Sequence, residues 1–247
     1  MQSSPTILFA VICGFFLIVI AMIAVVVMVS RNENAKAEKT AKALGMLPVT
    51  DHQPFLEKVA YVNGITRPDL YRLTHVFQRH TSSGGDVYMF NFHRRDIKSP
   101  TLGNKSRSSK IHYHPLELNA LAFVSPLWHL PRFQAMPRLE GEGVLVNLAN
   151  KAAENLADIK FDVIKFQHIP NLADRYIMST PETPASQINP PDEFLRVLAA
   201  NPNLRLQAGG DTMTISYLNS RTQPPDEERM KALYKIGLQL AKDIQTQ

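Results

Sequence analysis

Ser82-Ser83-Gly84-Gly85-Asp86-Val87-Tyr88-Met89-Phe90-Asn91-Phe92-His93-Arg94-Arg95 decides the fold class. Glycine supplies the positive φ of a tight turn, and the run after it alternates. Val87, Met89, Asn91 and His93 share one face, and Tyr88, Phe90 and Phe92 the other. A turn feeding an alternating strand calls for an antiparallel neighbour, and Leu70 to Arg79, just upstream, fills that place. Glu117 to Val124 reads as a third strand. Leu127 to Phe133 is expected as a short edge strand, because Pro126 and Pro131 cannot donate to a central ladder.

Helical periods are interspersed with these strands. Pro54 to Val62 puts Phe55, Val59 and Val62 on one face, and Gly141 to Asp158 does the same with Val144, Leu145, Leu148, Ala152 and Leu156. Lys160 to Gln167 and Arg175 to Ser179 read as brief strands, followed by a proline-rich connection over Pro181 to Pro191. Asp192 to Ala200 is expected as a helix. Leu204 to Ala208 and Thr212 to Leu218 form a second hairpin around Gly209-Gly210-Asp211. The chain then closes on an amphipathic helix, Pro225 to Gln245, with a buried stripe of Met230, Leu233, Tyr234, Gly237, Leu238, Ala241 and Ile244. Helices and antiparallel strands mix without a βαβ rhythm, so the class is α+β. The soluble domain is read as residues 49–247, with 49–140 and 141–247 as candidate subdomains.

Toward the N-terminus the character changes. The first charged residue is Arg31, and of the 23 residues from Ile7 to Val29 only Gly14 is outside the apolar set. At about 1.5 Å per residue this run makes roughly 34 Å of helix, enough for one membrane span. Residues 1–30 are therefore read as a single transmembrane anchor. That reading excludes a freely soluble protein, a polytopic transporter, and a collagen-like or disordered chain. A cleaved signal peptide would need a basic start and a shorter apolar stretch.

Residues 31–48 are rich in Ala, Lys and Glu and are expected to form a helical, basic stalk that Gly45 and Pro48 stop. Arg31, Lys36, Lys39 and Lys42 flank the span on this side, with only the terminal amine on the other. The positive-inside rule thus places the N-terminus outside and the domain in the cytoplasm, on the inner (cytoplasmic) membrane. Cys13, the single cysteine, falls in the span, which leaves no intramolecular disulfide and no cysteine metal cluster. Ala10, Gly14 and Ala21 recur at helical spacing and give the span a shallow face for packing on a partner helix.

The net charge of +5 is local. Arg94, Arg95, Lys98, Lys105, Arg107 and Lys110 face only Asp96 between His93 and His112. With serines, Gly103 and Asn104 between them, they read as a long basic surface loop. Near an anionic leaflet each such residue contributes roughly 1 kcal/mol. Nucleic acid would use the same charge, but nothing else in the chain points to it. Trp128, Arg132 and Phe133 lie in an apolar, aromatic run that reads either as core or as an exposed docking patch.

Chemistry-bearing patterns are sparse. His112 and His114 lie on one face of an extended segment, with Glu117 and His93 as candidate further ligands, but nothing fixes a third or fourth. Ser82, Ser83, Asp86 and His80 gather at one hairpin end without a nucleophile elbow. Gly84-Gly85 and Gly209-Gly210 lack phosphate-loop spacing and read as turns. Asp226, Glu227 and Glu228 suit the positive end of the last helix. No cofactor is expected, and no small-molecule substrate is identified.

A resemblance rests on the order of elements. An anchor is followed by Gly84-Gly85-Asp86-Val87-Tyr88-Met89-Phe90-Asn91-Phe92, a basic loop, Leu130-Pro131-Arg132-Phe133 and Asp174-Arg175-Tyr176-Ile177-Met178-Ser179. A Pro-Pro helix, Gly210-Asp211-Thr212-Met213-Thr214-Ile215 and a closing helix complete it. This order resembles uncharacterised bacterial membrane-anchored proteins that carry a domain of unknown function, and that family brings no catalytic residues. The expectation is a non-enzymatic, membrane-anchored accessory or assembly subunit of a larger membrane protein complex of respiratory, photosynthetic or secretion type. Its expected partners are integral membrane proteins, with anionic lipid as a second. The alternatives are a stand-alone module binding anionic membrane surfaces, and a hydrolase or metal-dependent enzyme using the His112/His114 region.

Overall fold

Alternating strands joined by glycine turns build one antiparallel sheet across the domain. The computed structural model describes residues 22, 34–82, 84–95, 113–138, 162–164, 166, 168–181, 188–220 and 224–245. Helix α1 covers residues 34–43. It leads to β1 (Leu47–Pro48), α2 (Gln53–Val62), a 3-10 turn at Pro68–Leu70, β2 (Tyr71–His80), β3 (Asp86–Arg95), β4 (Tyr113–Val124) and β5 (Leu130–Pro137). Then come β6 (Asp162–Ile164), α3 (Leu172–Arg175), β7 (Tyr176–Thr180), α4 (Asp192–Ala200), β8 (Leu204–Gly210), β9 (Thr212–Tyr217) and α5 (Glu227–Gln245). Among the described residues the strand order is β1-β2-β3-β4-β9-β8-β5-β7-β6, and every pairing is antiparallel. The α+β class holds.

Both faces of the sheet are covered, which is why β3 is apolar on both sides. Val87 and Met89 join a core with α1, α4 and α5, while Phe90 and Phe92 join a second core under α2. There Phe55 stacks on Tyr88 at 4.0 Å and meets Phe90 edge-on at 5.2 Å. β9 and β8, from the second half of the chain, stand between β4 and β5 of the first, so 49–140 and 141–247 share one sheet.

Two expectations are corrected. The segment from Leu127 is no edge strand: β5 starts at Leu130 and lies between β8 and β7. Pro131 is tolerated there because the β5–β8 register shifts between Leu130 and Phe133, a bulge that asks for no donor at the proline. In α5, Leu240 is fully buried whereas Leu238 is 38 % exposed, so Leu240 takes the place expected of Leu238 beside Met230, Leu233 and Gly237, with Tyr234, Ala241 and Ile244 partly buried against the same core.

The segment read as a stalk is helical over 34–43 but is built into the domain. Ala37, Ala41, Leu44 and Met46 are buried in the larger core. Arg79 Nη1 donates to the Leu44 carbonyl at 2.9 Å, and Lys39 meets Glu227 of α5 at 3.5 Å. The apolar run Ile7 to Val29, with Ala10, Gly14 and Ala21, lies outside the described residues except for Met22. Among the described residues no helix is long and apolar enough to cross a membrane. The helix expected over 141–158 also lies outside them.

Candidate functional site

The direction of α1 follows from two contacts with β2. His75 Nε2 donates to Asn34 Oδ1 at 2.5 Å, at the first described residue of the helix, and Arg79 holds the Leu44 carbonyl just past its end. Ten residues of helix span about 15 Å and four of strand about 13 Å, so α1 runs alongside β2 with Asn34 toward the Tyr71 end. The same end carries Arg94 and Arg95, because Arg94 pairs with Tyr71 and Arg95 with Tyr113. Arg72 is there too, exposed, with its guanidinium 4.1 Å from the Tyr113 ring centre. Arg72, Arg94 and Arg95 therefore form a basic rim at the sheet end from which α1 rises. Lys98, Lys105, Arg107 and Lys110 lie outside the described residues.

Behind this rim a polar chain crosses three strands. Asn91 Nδ2 donates to His75 Nδ1 at 3.0 Å, which leaves Nε2 as the ring's donor to Asn34. Asn91 Oδ1 accepts the Asn119 amide at 2.7 Å, and Asn119 Nδ2 donates to the Pro225 carbonyl at 3.2 Å, just ahead of α5. His75 and Asn119 both have φ of +51°, and the β2–β3 and β3–β4 registers slip beside them. The chain thus ties α1 to α5 through the sheet. Sequence reasoning missed it, since an alternating strand does not reveal which of its polar residues sit at bulges.

Among the described residues the candidate metal ligands do not come together. Arg94 pairs with His114 and His93 with Pro115, so by strand alternation His93 and His114 point to opposite faces. Glu117 is buried and paired with Arg205 at 2.9 Å. His93 Nε2 meets Thr74 Oγ1 at 2.9 Å, and burial, then the nearby Arg72 and His75, push its pKa down to about 4. His112 lies outside the described residues. Among the described residues no group of three or more His, Cys, Asp or Glu could hold a metal ion.

At the other end of the sheet, Gly84 takes φ of +81° in the β2–β3 turn and Asp86 pairs with His80. Lys58 of α2 pairs with Asp211 in the β8–β9 turn, where Thr212 Oγ1 donates to Asp211 Oδ1 at 2.7 Å. Burial raises the Asp211 pKa, but hydrogen bonds from Lys58 and Thr212 outweigh it and leave the carboxyl below its ordinary value. Tyr61, also on α2, lies against Gly209 and under the Arg132 guanidinium at 5.5 Å.

An exposed docking patch at Trp128, Arg132 and Phe133 is not what the structure holds. Trp128 and Phe133 are 6 % and 3 % exposed and belong to the core, while Leu127 is the residue left outside. Arg132 is half-buried over Tyr61. No protein-family model, no curated protein and no solved structure matches this chain.

Proposed function

We propose that the chain is a non-enzymatic, membrane-anchored accessory or assembly subunit of a larger membrane protein complex. A single helix at 7–29 holds it, with its N-terminus outside and its domain in the cytoplasm. The observation that carries this reading is the burial of Ala37, Ala41 and Leu44 in the core. A helix so seated fixes the domain relative to whatever precedes it, which suits a subunit that presents one surface to neighbours. From Val29 to Asn34 a continuous helix adds only about 8 Å, comparable with the Debye length of about 8 Å at physiological ionic strength. The basic rim at Arg72, Arg94 and Arg95 would then lie within electrostatic reach of an anionic leaflet. Ala10, Gly14 and Ala21 are the face proposed to pack on an integral membrane partner.

The test is purification of the full chain from its host in mild detergent, followed by mass spectrometry. A stoichiometric membrane-protein partner that is lost with Gly14→Leu supports the reading, and a chain that purifies alone contradicts it. The basic rim also favours a second reading, a stand-alone module on anionic membrane surfaces. That reading predicts salt-sensitive binding to anionic vesicles without any protein partner.

A further inference from the structure

A cavity of about 190 Å³ opens at the sheet end opposite the basic rim, between the β2–β3 turn, the end of β4 and the last turns of α5. Phe123, Val124 and Trp128 supply its apolar side, and Leu238, Ala241 and Lys242 its helical wall. An apolar cavity of about 150 Å³ accepts benzene, so this space takes a ring or branched chain with a short extension, roughly six to ten heavy atoms. The exposure of Leu238, at odds with the helix's inward stripe, follows from its place on this opening.

The lining is rich in donors. Trp128 is 94 % buried, yet its Nε1 meets no acceptor among the described residues. That nitrogen is itself closed to solvent, so Trp128 lines the cavity with its other atoms. Ser125, 2 % exposed, receives the Leu127 amide on Oγ at 3.4 Å and keeps its own proton to give. Lys242 forms no ion pair among the described residues. Asp86, the carboxylate on the lining, is paired with His80, and Thr81 Oγ1 is engaged with both the amide and the carbonyl of Gly85.

We infer that this cavity binds a compact amphipathic carboxylate, an aromatic or branched acid whose apolar body lies against Phe123 and Trp128. Lys242 neutralises its charge, and Ser125 is the buried donor that an acid can satisfy and a hydrocarbon cannot. The site faces away from the basic rim, so a water-borne ligand reaches it while that rim is occupied.

Trp128 is the single tryptophan and therefore the reporter. The probe is phenylacetate, titrated into the full chain in mild detergent against detergent blanks. Its Trp128 emission change is expected to saturate with Kd of roughly 0.1–1 mM, in keeping with so small a ligand. The uncharged phenylacetamide is expected to bind about tenfold more weakly, as is the acid to Lys242→Met, the loss of one exposed charge contact. Ala241→Phe, which fills the space, should abolish the response. Equal binding of acid and amide, unchanged affinity in Lys242→Met, or emission that never saturates would overturn the inference.

Discussion

Gly237 of α5 stands so close to Phe123 of β4 that a Cβ at the glycine would lie 2.2 Å from the ring. It would also lie 2.8 Å from Ile215 Cδ1, so two adjacent strands set the distance of the helix from the sheet. This contact seats α5 on the face that also receives α1, and Lys39 and Glu227 link the two helices. Gly237→Ala should therefore cost about 2–4 kcal/mol of overpacking despite the better helix propensity of alanine. Thermal unfolding checks it, and an unchanged or raised Tm would show that α5 stands farther off.

The polar chain makes its own demand. Asn91→Leu leaves the Asn119 amide without its side-chain acceptor and removes the donor to His75 Nδ1. The expected loss is about 1–3 kcal/mol, read from urea midpoints, whereas Asn34→Ala at the exposed end should cost under about 1 kcal/mol. Equal effects at the two positions would mean that the chain does not act through the sheet.

His93 gives a pH dependence whose sign is fixed. Its folded pKa is lowered to about 4, while an unfolded histidine protonates near 6.5. Between those values the unfolded chain binds more protons, so the contribution of His93 is complete above about pH 6.5 and is lost as pH falls toward 4. Because the ring is only about half buried and screened by solvent, the loss is on the order of 1–2 kcal/mol. Unfolding midpoints of wild type and His93→Gln should diverge at pH 7 and converge near pH 4.5. Parallel profiles would contradict the assignment.

Lys58 and Asp211 join α2 to the β8–β9 turn across 153 positions of sequence. Both are about one-third exposed, so a double-mutant cycle of Lys58→Met and Asp211→Asn should return a coupling of only about 0.5–1 kcal/mol. A coupling near zero would make the pair incidental to the placement of α2.

Local patterns carried much of the fold. Alternation and the glycine turn located Asp86–Arg95, and the Pro-Pro start with its apolar spacing located Asp192–Ala200. What stayed hidden was non-local or compensated. No pattern announces that β8 and β9 enter between β4 and β5, and Pro131 counted against an inner strand because its bulge depends on the partner's register. Residues 34–43 looked solvated because their buried side consists mostly of alanines, which fit closely against the sheet without an apolar stripe. The site was less legible than the fold. The basic rim needed only the end of β3, but Ser125 and Trp128 meet α5 only after the whole sheet has formed.

Paramagnetic relaxation from lipid headgroups tests the central claim, a domain held rigidly with its Arg72, Arg94 and Arg95 rim toward the membrane. With Cys13 replaced by Ala and single nitroxide labels at Arg72 or Gly84, the chain is placed in nanodiscs containing a nickel-chelating lipid. The two sites lie at opposite ends of β2 and the β2–β3 turn. Strong relaxation at position 72 with little at 84 is the predicted result. Equal relaxation at the two sites, or a stronger effect at 84, would contradict it.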